Sequence, residues 1–162
     1  MVGTVGILLH FDSAVQATAA QIHLATTGAD TASCGTAVAP CASLSYGLSL
    51  AAPGDSIQMA TGTYTGPGNR GISLSVSDVS VTGAGRDATI LDLEGMGTGF
   101  RVDAAAGNAS IQKLSIINAD CGATGASQRN GAAFYLSNAR VVIQDVAVRR
   151  AQCKSQATSE KE

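Results

Sequence analysis

The side chains able to do chemistry in this 162-residue chain are sparse, because charged residues make up only 14% of it against about 25% in an average domain. Asp78, Lys113 and Asp145 fall at matching points of repeated segments. A carboxylate–ammonium–carboxylate line of that kind can hold a cation or a sugar acid, but its plainer reading is an exposed charge ladder of little energetic weight. Gly83-Ala84-Gly85 lacks the strand-to-helix setting of a phosphate-binding loop. Asn108-Ala109-Ser110 is an N-glycosylation acceptor sequence in an expected loop, of consequence in a chain secreted by a eukaryote.

Four cysteines complete the reactive set. Cys34 and Cys41 bracket a short loop in which Gly35 and Pro40 let the ends approach, which predicts a local disulfide and an oxidising compartment. Neither His10 nor His23 stands at a finger-like spacing from a cysteine, so no metal is expected.

What must position these residues is a repeat. Ile111-Gln-Lys-Leu-Ser-Ile-Ile-Asn-Ala-Asp-Cys121 returns 32 residues later as Ile143-Gln-Asp-Val-Ala-Val-Arg-Arg-Ala-Gln-Cys153. A fainter copy, Val76 to Gly85, sets Val79 and Val81 on Leu114 and Ile116 at an offset of 35. Ile57-Gln-Met59 precedes Val79-Ser-Val81 by 22. Short alternating strands recurring at such periods are the mark of a stacked repeat, in which neighbours bury a core that no unit can bury alone. Val79, Val81, Leu114, Ile116, Val146 and Val148 are the expected inward positions, alternating with small or polar outward ones. Cys121 and Cys153 then stack on adjacent coils with parallel Cβ vectors, and are expected as unbonded thiols.

Other strands are expected at 22–24, 71–74, 88–93, 99–102 and 133–136, with the last two as companion strands of the two Ile-Gln segments. Ser43 reads as the N-cap of a short helix through Ala52, stopped by Pro53-Gly54 and lying across one end of the stack. Residues 1–20 read either as a secretory signal, with Val5 to Leu9 apolar and Ala17-Thr18-Ala19 as cleavage site, or as an N-terminal arm. Residues 21–153 form the domain, and 154–162 a polar, disordered tail. Its lower edge, at Ile143–Cys153, is expected to be open to pairing with another chain.

Nineteen glycines, 4% aromatics and no Trp suit many short strands and tight turns. A net charge of −2 gives no electrostatic case for nucleic acid. No run approaches the ~20 apolar residues of a membrane-spanning helix.

Thr27-Gly-Ala-Asp30, Pro40-Cys-Ala-Ser-Leu44, Ala52-Pro-Gly-Asp-Ser-Ile57 and Gly62-Thr-Tyr64 together resemble the opening of right-handed parallel β-helix proteins of the pectin-lyase-like superfamily. Asn130-Gly-Ala-Ala-Phe-Tyr-Leu136 resembles the Gly-Gly-Ala-Ile repeat of polymorphic outer-membrane and algal surface proteins, although Val148-Arg-Arg-Ala151 replaces the Phe-x-x-Asn that should follow. The resemblance implies an all-β fold: a right-handed parallel β-helix behind a short N-terminal capping helix, in about four partial coils. It implies a fragment or short member of a secreted or cell-surface family, structural or adhesive, with extracellular polysaccharide or a surface protein as partner and weak polysaccharide binding through Asn, Ser, Thr and Arg. Its alternative is a truncated polysaccharide lyase or carbohydrate esterase. For a lyase, Asp92, Glu94, Asp103 and Arg101 are of the right types, carboxylates for calcium and a base for proton abstraction, with Arg101, Asp103 and Asp92 as the candidate catalytic residues. No family catalytic motif surrounds them, so no catalytic residue and no cofactor is expected outside that alternative.

Overall fold

The computed structural model describes residues 18–124 and 132–153. The signal or arm reading over 1–17, the tail at 154–162, and Asn130-Gly131 of the second resemblance lie outside the described residues. Among the described residues the fold is predominantly β, with one α-helix and exclusively parallel strand pairings. The described residues form ten strands in two sheets: β1 (Gln21–Leu24), β2 (Ser56–Met59), β3 (Gly62–Tyr64), β4 (Ile72–Leu74), β5 (Ser80–Gly83), β6 (Thr89–Asp92), β7 (Phe100–Asp103), β8 (Asn108–Ile117), β9 (Phe134–Ser137) and β10 (Arg140–Arg149).

A curled sheet of seven strands runs β1-β2-β5-β8-β6-β3, with β10 also on β8; a smaller sheet runs β4-β7-β9. β8 joins the two arms of the large sheet because it is bent at Lys113, whose φ of 57° is left-handed. Its first half pairs with β5 and its second with β6. β10 repeats the bend at Asp145, with φ 51°.

The registers line apolar side chains up in three columns. Ile22, Ile57, Val81, Ile111 and Ile143 succeed one another on β1, β2, β5, β8 and β10. Tyr64, Leu91, Ile116 and Val148 form the second column, and Leu74, Val102 and Leu136 the third. The 32-residue register therefore holds, Ile111 to Ile143 and Leu114 to Val146.

The other two offsets need correction. Ile57 pairs with Val81 rather than Val79, a two-residue shift that keeps every side chain on its face. Val81 pairs with Ile111 rather than Ile116, because the fainter copy matches the first half of the bent strand. Asn108, expected in a loop, instead opens β8.

The helix α1 (Leu44–Leu50) starts where Ser43 predicts, its side chain accepting from Tyr46 N at 3.4 Å. It packs on β1, β4 and the turn at 67–69. Beside it the 34–41 segment takes up the free edge of β1: His23 N donates to Gly35 O and Cys41 N to His23 O. The Cys34–Cys41 disulfide closes that segment, with Cα atoms 5.0 Å apart.

Cys121 and Cys153 are also disulfide-bonded, with Cα atoms 4.8 Å apart, which overturns the reading as stacked free thiols. The stacking itself is right. Both residues lie beyond the ends of β8 and β10, and Cys121 opens a 3-10 turn, so the parallel Cβ vectors of a regular ladder do not apply there.

Candidate functional site

Three left-handed residues mark the ends of consecutive strands in the second arm of the large sheet: Glu94 after β6, Asn118 after β8 and Arg150 after β10, with φ of 56°, 54° and 54°. Backbone bonds hold them in line. Gly95 N donates to Asn118 O at 2.8 Å, and Asn118 N donates to Arg149 O at 3.1 Å. Non-glycine residues in this conformation are uncommon, and Asn tolerates it best. With Gly95 and Gln152 they line an open groove of about 590 Å³.

The groove's polar groups are set by neighbours. Asp92 Oδ1 accepts from Asn118 Nδ2 and from Glu94 N, both at 2.9 Å. Glu94 Oε2 accepts from Arg70 Nη1 at 2.8 Å and from Gly66 N at 3.0 Å. Two amide side chains, one carboxylate and the exposed Arg150 thus border one strip that follows the stacking direction. Such groups can hydrogen-bond the hydroxyls and ring substituents of an extended polar polymer.

The sequence-derived candidates are dispersed. Asp92 supports the groove from β6, whereas Arg101 and Asp103 are on β7, in the other sheet. Arg101 lies 5.5 Å over the Tyr135 ring, a cation–π contact. Asp103 accepts from Ala105 N at 3.0 Å and caps the 3-10 turn that follows. The charge ladder is not assembled as expected. Lys113 and Asp145 occupy matching bends, but Asp78 aligns with Asn108, whose N and Nδ2 donate to Asp78 Oδ1 at 3.3 and 3.2 Å. The glycosylation amide of Asn108 is thus already hydrogen-bonded. Asp145 lies 3.9 Å from Arg86 Nε, and Asp87 accepts from Arg149 Nη2 at 3.0 Å.

A second polar cluster sits beneath α1. Asp30 accepts from Ala42 N, Ser43 N and Ser43 Oγ at 2.8, 3.0 and 2.6 Å. Partial burial raises its pKa, but these bonds outweigh it and hold the carboxyl below its ordinary value. Its oxygens and the sulfurs of Cys34 and Cys41 lie within 4.8 Å of one another. The sulfurs are joined in the disulfide and offer no thiolate to a metal.

Sequence reasoning named Glu94 only among the carboxylates of a lyase site, and missed its partner Arg70 and Asn118. The signal for Asn118 was present, since it is the residue that the 32-residue repeat aligns with Arg150. No protein-family model, curated protein or solved structure matches this chain.

Proposed function

We propose that the chain is a non-catalytic, secreted or cell-surface module, a right-handed parallel β-helix of pectin-lyase-like type with a structural or adhesive role and weak affinity for extended polysaccharide. The observation that carries the binding role is the groove at Glu94, Asn118, Arg150 and Gln152, whose hydrogen-bonding groups recur from one strand end to the next. The β-helix reading draws support from three apolar columns in parallel register and from an edge of β1 that is covered while that of β10 is exposed. Two disulfides favour an oxidising, extracellular setting. Scarce aromatic platforms favour weak or multivalent contacts, and the exposed edge of β10 supports self-association.

Calorimetric titration with polygalacturonate, alginate and a neutral glucan tests this directly. Binding to at least one, weakened by Arg150→Asn, which keeps a residue tolerant of positive φ, is the expected result. The rival is a lyase or esterase. Calcium-dependent formation of unsaturated sugar, or release of ester groups, abolished by Arg101→Ala or Asp103→Ala, would overturn the non-catalytic reading.

A further inference from the structure

Asp55 is buried, at 6% exposure, yet among the described residues it forms no ion pair. A carboxylate held out of water is costly unless donors or a positive charge meet it. Two backbone donors do so here: Ala52 N lies 2.8 Å from Oδ2, and Ala20 N lies 2.7 Å from Oδ1. The turn after α1 fixes the carboxylate. Gly54, with φ 88°, donates to Ser77 O, Asp55 N donates to Ala52 O, and Ser80 N donates to Asp55 O. Ala20 is fixed as firmly, since its carbonyl oxygen accepts from Ser56 N at 2.9 Å and from Ser56 Oγ at 3.4 Å. Among the described residues the hydrogen-bonded frame starts at this alanine, and Thr18 and Ala19 before it are exposed. The sequence marks the same point. Ala17 and Ala19 are the small-x-small pair that a leader peptidase accepts just before its cut, downstream of the apolar Val5 to Leu9. The residue after that cut is Ala20, whose nitrogen already meets Asp55.

We propose that the peptide bond between Ala19 and Ala20 is a processing site, and that Asp55 is the counter-ion waiting for the amino terminus it frees. The proposal rests on the secreted reading above and adds the place where the leader is removed. A leader peptidase supplies the catalysis and water the atoms. The bond from Ala19 C to Ala20 N breaks, the water oxygen joins Ala19 C to give a carboxylate, and both water hydrogens end on Ala20 N as an ammonium. A neutral donor 2.7 Å from Asp55 thus becomes a charged one in the same place. That separation already lies in the range of a charge-assisted bond, so the turn need not move. The buried carboxylate gains a cation, and Ser56 keeps the new terminus in position through the Ala20 carbonyl. A cut one residue later would remove both the nitrogen at Asp55 and the carbonyl at Ser56. A cut one residue earlier would leave an amide at Asp55 and place the ammonium out in solvent on Ala19.

The test expresses the full chain in a bacterial and a yeast host with active export, and reads the amino terminus by intact mass and terminal sequencing. The expected product starts at Ala20. Ala19→Leu puts a large side chain where the peptidase needs a small one, and should leave the leader attached. Because Ala19 is exposed, this variant also serves as the folded, uncleaved reference. Asp55→Asn is then made in both forms and each is unfolded in urea. Asparagine gives up the charge, and its amide can no longer accept at both oxygens, a loss common to the two forms that the comparison cancels. The folding equilibrium constant should therefore fall by a factor about tenfold larger in the processed chain than in the uncleaved one, because only the processed chain loses an ion pair. Equal losses in the two forms would overturn the role of Asp55. An exported chain that starts elsewhere, or keeps residues 1–19, would overturn the site while leaving secretion standing. A chain retained whole in the cytosol of both hosts would overturn the site and the secreted reading together.

Discussion

At the scale of single residues, the buried polar side chains fasten turns whose geometry the strands then inherit. Tyr64 is buried with its hydroxyl 3.1 Å from both Leu24 O and Ala60 O, which share its one proton. Burial, partly offset by the bond to Ala60, pushes this hydroxyl up to about 12. An unfolded tyrosine titrates near ~10, so the contribution of the neutral hydroxyl is whole below that pH and fades as pH rises through its folded value. Tyr64→Phe should cost about 0.5–1.5 kcal/mol in urea unfolding at neutral pH, the net worth of one hydrogen bond, since Leu24 O still accepts from Ala60 N and Ala60 O from Thr89 Oγ1. The gap between wild type and variant should close between about pH 10 and 12. Asp30 behaves oppositely. Asp30→Ala should cost about 1–3 kcal/mol near pH 7 by removing three hydrogen bonds at the start of α1. That cost should vanish as pH falls through a carboxyl pKa lying below the ordinary range. Asp55, the last residue of Pro53-Gly54-Asp55, plays a comparable part, its carboxylate accepting from Ala20 N and Ala52 N at 2.7 and 2.8 Å.

At the scale of elements, the bent strand β8 shows both what sequence patterning reveals and where it stops. The 32-residue copy was legible because its two segments use the same residue types at both halves of the same bend. The fainter copy misled because β5 meets only the first half. Left-handed Lys113 resets the alternation, so that Ile111, Leu114 and Ile116 are all buried, and period-2 patterning cannot distinguish the two arms. The groove was less legible still, because Glu94 and Arg70 lie in separate turns with no shared spacing to connect them. Close packing beside the bend is itself testable. A Cβ on Gly83 would run into the backbone carbonyl oxygen of Lys113 and approach Thr89 Cβ to 2.8 Å. Gly83→Ala should therefore destabilise by about 1–3 kcal/mol or more as overpacking against a backbone, measurable as a lower denaturation midpoint. Further along β8 and β10, the Cys121–Cys153 bridge closes a loop of separation 32, for which loop entropy gives roughly 3–4 kcal/mol. Cys121→Ser with Cys153→Ser should remove most of that. Hydrogen exchange should then quicken in 140–149 first, leaving the β1–β2 pairing protected.

At the scale of the whole molecule, stability should be graded along the stack, because each layer is covered by the next until β10. Ile111 and Ile143 make the comparison cleanly, being the same residue type, directly paired in register and on the same column. Ile111 is fully buried, whereas Ile143 is 40% exposed. Truncating a buried isoleucine to alanine costs about 2–5 kcal/mol through lost transfer energy and a cavity. Ile111→Ala should fall in that range at every protein concentration. Ile143→Ala should cost about half as much or less in dilute solution, because solvent already reaches the side chain and little cavity is left. If a second copy covers this end, the cost of Ile143→Ala must grow with concentration, since association stabilises whatever it binds by mass action. Parallel urea titrations of the two variants at low and high concentration measure the difference. Equal costs at both concentrations for Ile143→Ala would mean that the column ends where β10 ends, with nothing of its own kind to cover it.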